Sequence, residues 1–101
     1  MGFFSKLFGP KVDLQDLIQN QNAYIVDVRT PGEFKQGKVK GSVNIPLNTI
    51  ANAEGKLKGR SPIVLCCASG MRSGQATRIL KGKGYDAYNG GSWQNVNRFK
   101  S

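Results

Sequence analysis

The sequence predicts a single α/β domain with a mostly parallel central sheet of about five strands and helices on both faces. Its 101 residues suit one compact domain and are too few for two. Two dense runs of β-forming apolar residues, 23–28 and 62–67, are typical of strands buried on both faces. Segments with helical spacing alternate with these strand-like segments, which predicts parallel strands joined by helical connections.

The first elements carry recognisable start signals. Asp13 is an N-cap candidate, because apolar residues follow it at helical spacing. The buried strand at 23–28 comes next. In the segment after it, Thr30 would cap a turn or short helix, Pro31 would take the first helical position and Glu33 would lie in the first turn.

The rest of the chain continues this alternation of strands and helices. We predict a short strand at 43–46, a short helix at 47–53, the buried strand at 62–67, an amphipathic helix at 75–81, a short strand at 87–88 and a helix or turn at 93–99. Ligands of such sheets bind beyond the carboxyl ends of the strands. The segment after 62–67 is therefore where a functional site is expected.

Charge and hydropathy narrow the range of partners. Fifteen Lys and Arg against six Asp and Glu give a net charge of +9, which favours anionic ligands. The basic residues are scattered and are not interleaved with aromatic residues, so we expect no specific nucleic-acid partner. No run approaches the roughly 20 apolar residues of a membrane span.

Residues 1–11 are predicted to form an N-terminal arm without a secretory signal. This arm is expected to pack its phenylalanines on the domain at 12–101 or on a neighbour.

The two cysteines, Cys66 and Cys67, are adjacent, and the chain has no histidine. Adjacent cysteines cannot staple a loop, and two are too few for a four-ligand zinc site. We therefore predict no metal and no cofactor, and free thiols in a reducing cytoplasm. Activation of a cysteine by histidine is impossible here.

Cys67 begins a segment of small residues, with one glycine, between a buried strand and a helix. Such a segment can turn several backbone N–H groups toward one centre, and the helix adds the positive end of its dipole. These surroundings favour a thiolate. The planar guanidinium of an arginine in the loop can also donate two parallel hydrogen bonds to an oxyanion. The predicted site is Cys67 as nucleophile, with an anion-binding loop of Ala68, Ser69, Gly70, Met71, Arg72 and Ser73.

Three ordered motifs together resemble a known family. The loop reads Cys-x-x-Gly-x-Arg-Ser from Cys67, an Asp-Val-Arg…Glu-Phe motif starts at Asp27, and a Gly-Gly…Trp motif ends at Trp93. Over roughly 12–99 the chain is similar to single-domain rhodaneses, which are thiosulfate sulfurtransferases.

The resemblance implies that Cys67 takes sulfur from a small anionic donor such as thiosulfate and forms a persulfide. The sulfur then passes to cyanide, a thiol or a protein. Asp27 and Arg29 are expected to support the site or the fold, and Arg29 to form at most a surface ion pair with Glu33. Trp93 is expected in the core.

Two other functions stay open at this point. Counted from Cys66, the loop has the Cys-x5-Arg spacing of cysteine-dependent phosphatases and arsenate reductases, although strand alternation predicts that Cys66 points away from its neighbour. The domain could also be a sulfur-relay or protein-binding module without a small-molecule substrate of its own.

Overall fold

One parallel sheet of four strands organises the chain in the computed structural model, which describes residues 12–100. The strands are β1 (Tyr24–Asp27), β2 (Val43–Asn44), β3 (Ile63–Cys67) and β4 (Ala87–Ser92), in the order β2-β1-β3-β4. The prediction of about five strands is wrong by one within these residues.

Helices connect the strands and cover both faces of the sheet. They are α1 (Leu14–Gln19), α2 (Pro31–Gln36), α3 (Leu47–Ile50), α4 (Glu54–Leu57), α5 (Met71–Gly82) and α6 (Trp93–Asn97). The predicted caps are confirmed: the Asp13 carboxylate accepts from the Asp16 N–H, and Thr30 and Glu33 form a reciprocal capping box. The helix predicted at 47–53 is shorter in the structure, where α3 ends at Ile50, and α4 is a further short helix that was not predicted.

The apolar core has two layers, one on each side of the sheet. Alternate residues of a strand point to opposite faces, so Leu65 and Cys67 face α3, α4 and α5. Val64 and Cys66 face α1 and α6. Every residue of β3 is buried, which confirms that the run at 62–67 contains a strand covered on both faces.

The strand β4 is longer than the predicted 87–88 and contains a bulge. Leu65 pairs with Asn89 but Cys66 pairs with Gly91, so Gly90 is an extra residue without a partner in β3. A Cβ atom on Gly90 would lie 2.5 Å from the Val96 side chain and 2.8 Å from that of Val64. Because only glycine fits this approach, the Gly-Gly pair shapes the strand that borders the Cys67 loop.

Residues 1–11 and 101 lie outside the described part of the chain, so the packing of the N-terminal arm stays a prediction. Within residues 12–100, none of the helices combines the length and the apolar character needed to cross a membrane.

Candidate active site

The site lies at the carboxyl end of β3, where the chain turns sharply into α5. Cys67 is the last residue of β3, and α5 begins at Met71, four residues earlier than the predicted start at 75. Gly70 makes this possible because its φ of 101° is a left-handed conformation that residues with a Cβ rarely adopt. Met71, Arg72 and Ser73 therefore form the first turn of the helix, and Cys67 lies beneath its positive end.

Backbone N–H groups converge on the Cys67 sulfur. Its Sγ accepts from the Gly70 N–H with an N···S distance of 3.0 Å and from the Ser73 N–H at 3.4 Å. Burial acts to raise the pKa of the Cys67 thiol, but hydrogen bonds from Ser73, Gly70 and Ser69 outweigh it and lower the pKa below its ordinary value. The loop thus stabilises a thiolate without a histidine.

Asn89, on the neighbouring strand β4, joins both ends of this loop. Its Oδ1 accepts from the Ser73 hydroxyl at 2.7 Å, and its Nδ2 donates to the Gly70 carbonyl at 3.1 Å. The Ser73 Oγ is also 3.4 Å from Sγ. A hydroxyl has one proton, which Ser73 can donate to Asn89 or, over the longer distance, to Sγ, where it helps the N–H groups to lower the Cys67 pKa.

Arg72 has an internal partner. Its Nη1 and Nη2 donate to the two carboxylate oxygens of Glu33 at 2.8 and 3.1 Å, with both side chains about a third exposed. The Arg72 guanidinium, together with the N–H of Thr30, lowers the pKa of Glu33 to about 2. Glu33 is therefore ionised at neutral pH, and the pair carries no net charge.

Asp27 and Arg29 form a second ion pair, which is buried behind the loop. The Arg29 Nη2 is 2.7 Å from the Asp27 Oδ2, and the carboxylate also accepts from the Arg29 Nε and backbone N–H. Arg29 further donates to the Gly37 carbonyl and stacks over the ring of Trp93. The expected surface pair between Arg29 and Glu33 is wrong: Arg29 Nη1 reaches only the backbone oxygen of Glu33, whose carboxylate binds Arg72.

Cys66 is separated from the loop by the sheet. Its side chain packs in the other core layer, against residues of α1 and α6. Burial, followed by the nearby Asp27 charge, raises the pKa of Cys66 to about 12. The geometry therefore gives no support to a phosphatase nucleophile at Cys66, despite the Cys-x5-Arg spacing.

The remaining loop residues form the outer surface of the site. Ala68 and Ser69 are exposed, and the Met71 side chain is 81% exposed. Beside Arg72 lies a hollow of about 440 Å³. It is lined by Val28, Thr30, Pro46, Leu47, Asn48, Arg72, Gln75 and Ile79. Among the residues that the structure describes, no group of three or more His, Cys, Asp or Glu side chains could hold a metal ion.

Two residues of this arrangement escaped the sequence analysis. Asn89 carries a weak signal, since an asparagine before Gly-Gly at the carboxyl end of a strand is a candidate for binding loop backbone. For Glu33, the sequence predicts a place in the helix cap, which is correct. Its second role with Arg72, 39 residues away in sequence, depends on tertiary structure and has no local signal.

Comparison with known proteins agrees with this geometry. The profile of the rhodanese-like domain family matches residues 11–97. A human single-domain sulfurtransferase superposes with a TM-score of 0.69 at 26% identity, and the match covers 87% of this chain and 92% of that one.

Curated relatives match over part of their length. A sulfurtransferase of Allochromatium vinosum is 32% identical over 71 residues, which cover 70% of this chain and 66% of that protein. The uncharacterized protein YqhL of Bacillus subtilis is 34% identical over 64 residues, which cover 63% of this chain and 51% of the relative. The chain thus matches about half to two thirds of the length of these two relatives.

Proposed function

This chain belongs to the rhodanese-like domain family, and on that premise we propose that it transfers sulfane sulfur through a persulfide on Cys67. Relatives named as sulfurtransferases support this kind of activity. The donor would be thiosulfate or a persulfide, and the acceptor cyanide, a thiol or a protein. Free thiols persist in a reducing compartment, so we propose a cytoplasmic location.

The observation that carries the proposal is the contrast between the two cysteines. Both cysteines are buried in apolar layers of the core, but Cys67 accepts N–H donors from the loop and has a lowered pKa, whereas Cys66 has a pKa raised to about 12. The thiolate, not the thiol, is the nucleophile in sulfur transfer. Only Cys67 is therefore prepared to attack a donor at neutral pH.

The reaction has two displacement steps. The Cys67 thiolate attacks the outer sulfur of the donor; a new S–S bond forms, the donor S–S bond breaks, and sulfite or a thiolate leaves with the electron pair. The N–H groups of Gly70 and Ser73, which hold the thiolate in the free protein, would stabilise the negative persulfide in the same way. An acceptor nucleophile then attacks the outer sulfur, and the Cys67 thiolate leaves with the bonding pair.

Intact mass spectrometry tests this proposal. Reduced protein is incubated with thiosulfate, and separately with glutathione persulfide, and the mass of the desalted protein is measured. The wild type and Cys66→Ala should gain one sulfur atom, whereas Cys67→Ala should gain none. A gain on Cys67→Ala, or no gain on the wild type with either donor, would contradict the proposed chemistry.

A further inference from the structure

The side chain of Asn89 contacts the Cys67 loop from the neighbouring strand β4 and is itself exposed. We propose that Asn89 is a positioning residue of the sulfur transfer, because it holds the Gly70 end of the loop in the orientation that directs N–H groups at the Cys67 sulfur. Its hydrogen bonds go to the loop and to β4, so it acts through the loop. This inference rests on the proposed sulfur transfer at Cys67 and adds a residue to that site.

Both ends of the Asn89 amide bind residues that also donate an N–H to the sulfur. Nδ2 donates to the Gly70 carbonyl at 3.1 Å, and Oδ1 accepts from the Ser73 hydroxyl at 2.7 Å. The N–H groups of the same two residues lie 3.0 and 3.4 Å from the Cys67 Sγ. One side chain on β4 therefore connects the two backbone donors of the site.

The orientation of this amide is fixed by its partners. The Gly91 N–H can only donate, and it lies 3.0 Å from the Asn89 Oδ1. The Gly70 carbonyl can only accept, so it faces Nδ2. A carboxylate would place an oxygen against that carbonyl, and an apolar side chain would offer no hydrogen bond. The position therefore needs a group that both donates and accepts.

The contact with the Gly70 carbonyl matters because a glycine restrains its own backbone very little. The same carbonyl accepts from the Gly74 N–H at 2.9 Å, in the first turn of α5. A carbonyl oxygen has two lone pairs, so the helix and Asn89 hold this peptide group from two sides. Without Asn89 the peptide groups on either side of Gly70 would rotate more freely, and the Gly70 N–H would be directed less well at Sγ.

Gly74 gives independent support for this role. Glycine is a poor helix former, yet Gly74 lies inside α5. A Cβ atom there would lie 3.1 Å from the Asn89 Nδ2, which is tighter than the usual separation of about 3.5–4.0 Å between atoms in contact. The missing side chain at this position therefore makes room for the Asn89 amide where it meets the loop.

The test follows the pKa of Cys67 in the full chain by the pH dependence of alkylation with iodoacetamide. Tandem mass spectrometry locates the adduct on Cys67, and the midpoint of the profile is compared, since a looser loop would also admit the reagent faster. All proteins carry Ser73→Ala. Without Asn89 the Ser73 hydroxyl would be free to donate to Sγ, 3.4 Å away, and would lower the pKa by itself. In this background Asn89 acts on the loop through the Gly70 carbonyl.

We expect Asn89→Ala to raise the midpoint by about one pH unit, or about tenfold less thiolate below it, the effect of one weakened hydrogen bond to a charged group. Persulfide formation from thiosulfate at neutral pH should slow accordingly. Asn52→Ala is the matched control, because Asn52 is an exposed asparagine in the turn between α3 and α4, and it should change neither value.

Gly74→Ala displaces the amide without removing it. It should raise the midpoint when Asn89 is present and should have no effect in the Asn89→Ala background. Gly82→Ala is its control in the same helix, since a Cβ atom at Gly82 would meet no atom of residues 12–100 within 4 Å.

An unchanged or lower midpoint in Asn89→Ala overturns the inference, even in a less stable variant, because a merely structural role would lower stability alone. Should Asn89→Ala not fold, Gly74→Ala decides, and a midpoint equal to that of Gly82→Ala overturns the inference. Alkylation needs no sulfur donor, so this result is independent of the proposed function. The proposed function itself fails if neither thiosulfate nor glutathione persulfide adds sulfur to the wild type.

Discussion

Replacing Gly70 with alanine tests the turn that brings N–H groups to the Cys67 sulfur. Gly70 has a φ of 101°, and a Cβ atom there would lie 3.3 Å from the Gly91 Cα. A left-handed conformation costs a residue with a Cβ about 1–2 kcal/mol. If the loop relaxes to avoid this strain, the Gly70 N–H moves away from Sγ. The variant should therefore be less stable than the wild type and should have a higher Cys67 pKa.

Gly82→Ala is a matched control at the other end of the same helix. A Cβ atom on Gly82 would enter open space among residues 12–100, and the φ of Gly82 is not positive, so alanine should stabilise the protein by about 0.4–1 kcal/mol. Both variants change the unfolded chain alike, so their difference in unfolding free energy isolates the strain at Gly70. We expect this difference to exceed about 1 kcal/mol in urea denaturation.

The pKa is followed by the pH dependence of alkylation with iodoacetamide. The variants are made in a Cys66→Ala background, because both cysteines are buried and the raised pKa of Cys66, about 12, is what otherwise separates the two thiols. Gly70→Ala should shift the alkylation profile to higher pH, and Gly82→Ala should not. Equal stability and equal profiles for the two alanine variants would refute the account of the loop.

Three further results are expected. Asp27→Asn leaves the buried Arg29 without its carboxylate and should lower the unfolding free energy by about 3–5 kcal/mol; a loss below about 1 kcal/mol in denaturant melts would argue against a buried pair. Gly90→Ala pushes a methyl group against Val96 and should cost about 1–3 kcal/mol, so an unchanged Tm would contradict the close approach in the bulge. The pKa of Glu33 is lowered from 4.5 to about 2, so its contribution to stability is present above pH 4.5 and is lost as the pH falls toward 2. Stability measured between neutral pH and a pH of about 2 should fall less steeply in Glu33→Gln than in the wild type, and parallel curves would contradict the shift.

The sequence was sufficient for the features that depend on local pattern. An uninterrupted apolar run identifies a strand buried on both faces, and β3 is such a strand. Capping residues act within three or four positions, so Asp13 and Thr30 could be recognised as helix starts. The fold class and the position of Cys67 at the end of β3 follow from these signals.

Partner choice among charged residues could not be predicted in the same way. Arg29 lies close in sequence to both Asp27 and Glu33, and only the three-dimensional arrangement shows that it binds the Asp27 carboxylate. Glu33 binds Arg72, which follows it by 39 residues. The sequence also predicts too late a start for α5. Apolar periodicity identifies only the part of a helix that packs on the core, and the first turn at Met71 faces the site and not the core.

The opposite orientation of the two cysteines has a consequence for how long a transferred sulfur stays on the protein. The chain contains no thiol other than Cys66 and Cys67, and the sheet separates their side chains into different core layers. A persulfide formed on Cys67 could not be discharged internally by its neighbour as a disulfide and free hydrogen sulfide. The persulfide would then persist until an external acceptor removes its outer sulfur. The lifetime of the loaded protein would therefore depend on the supply of acceptor and not on an internal reaction of the persulfide.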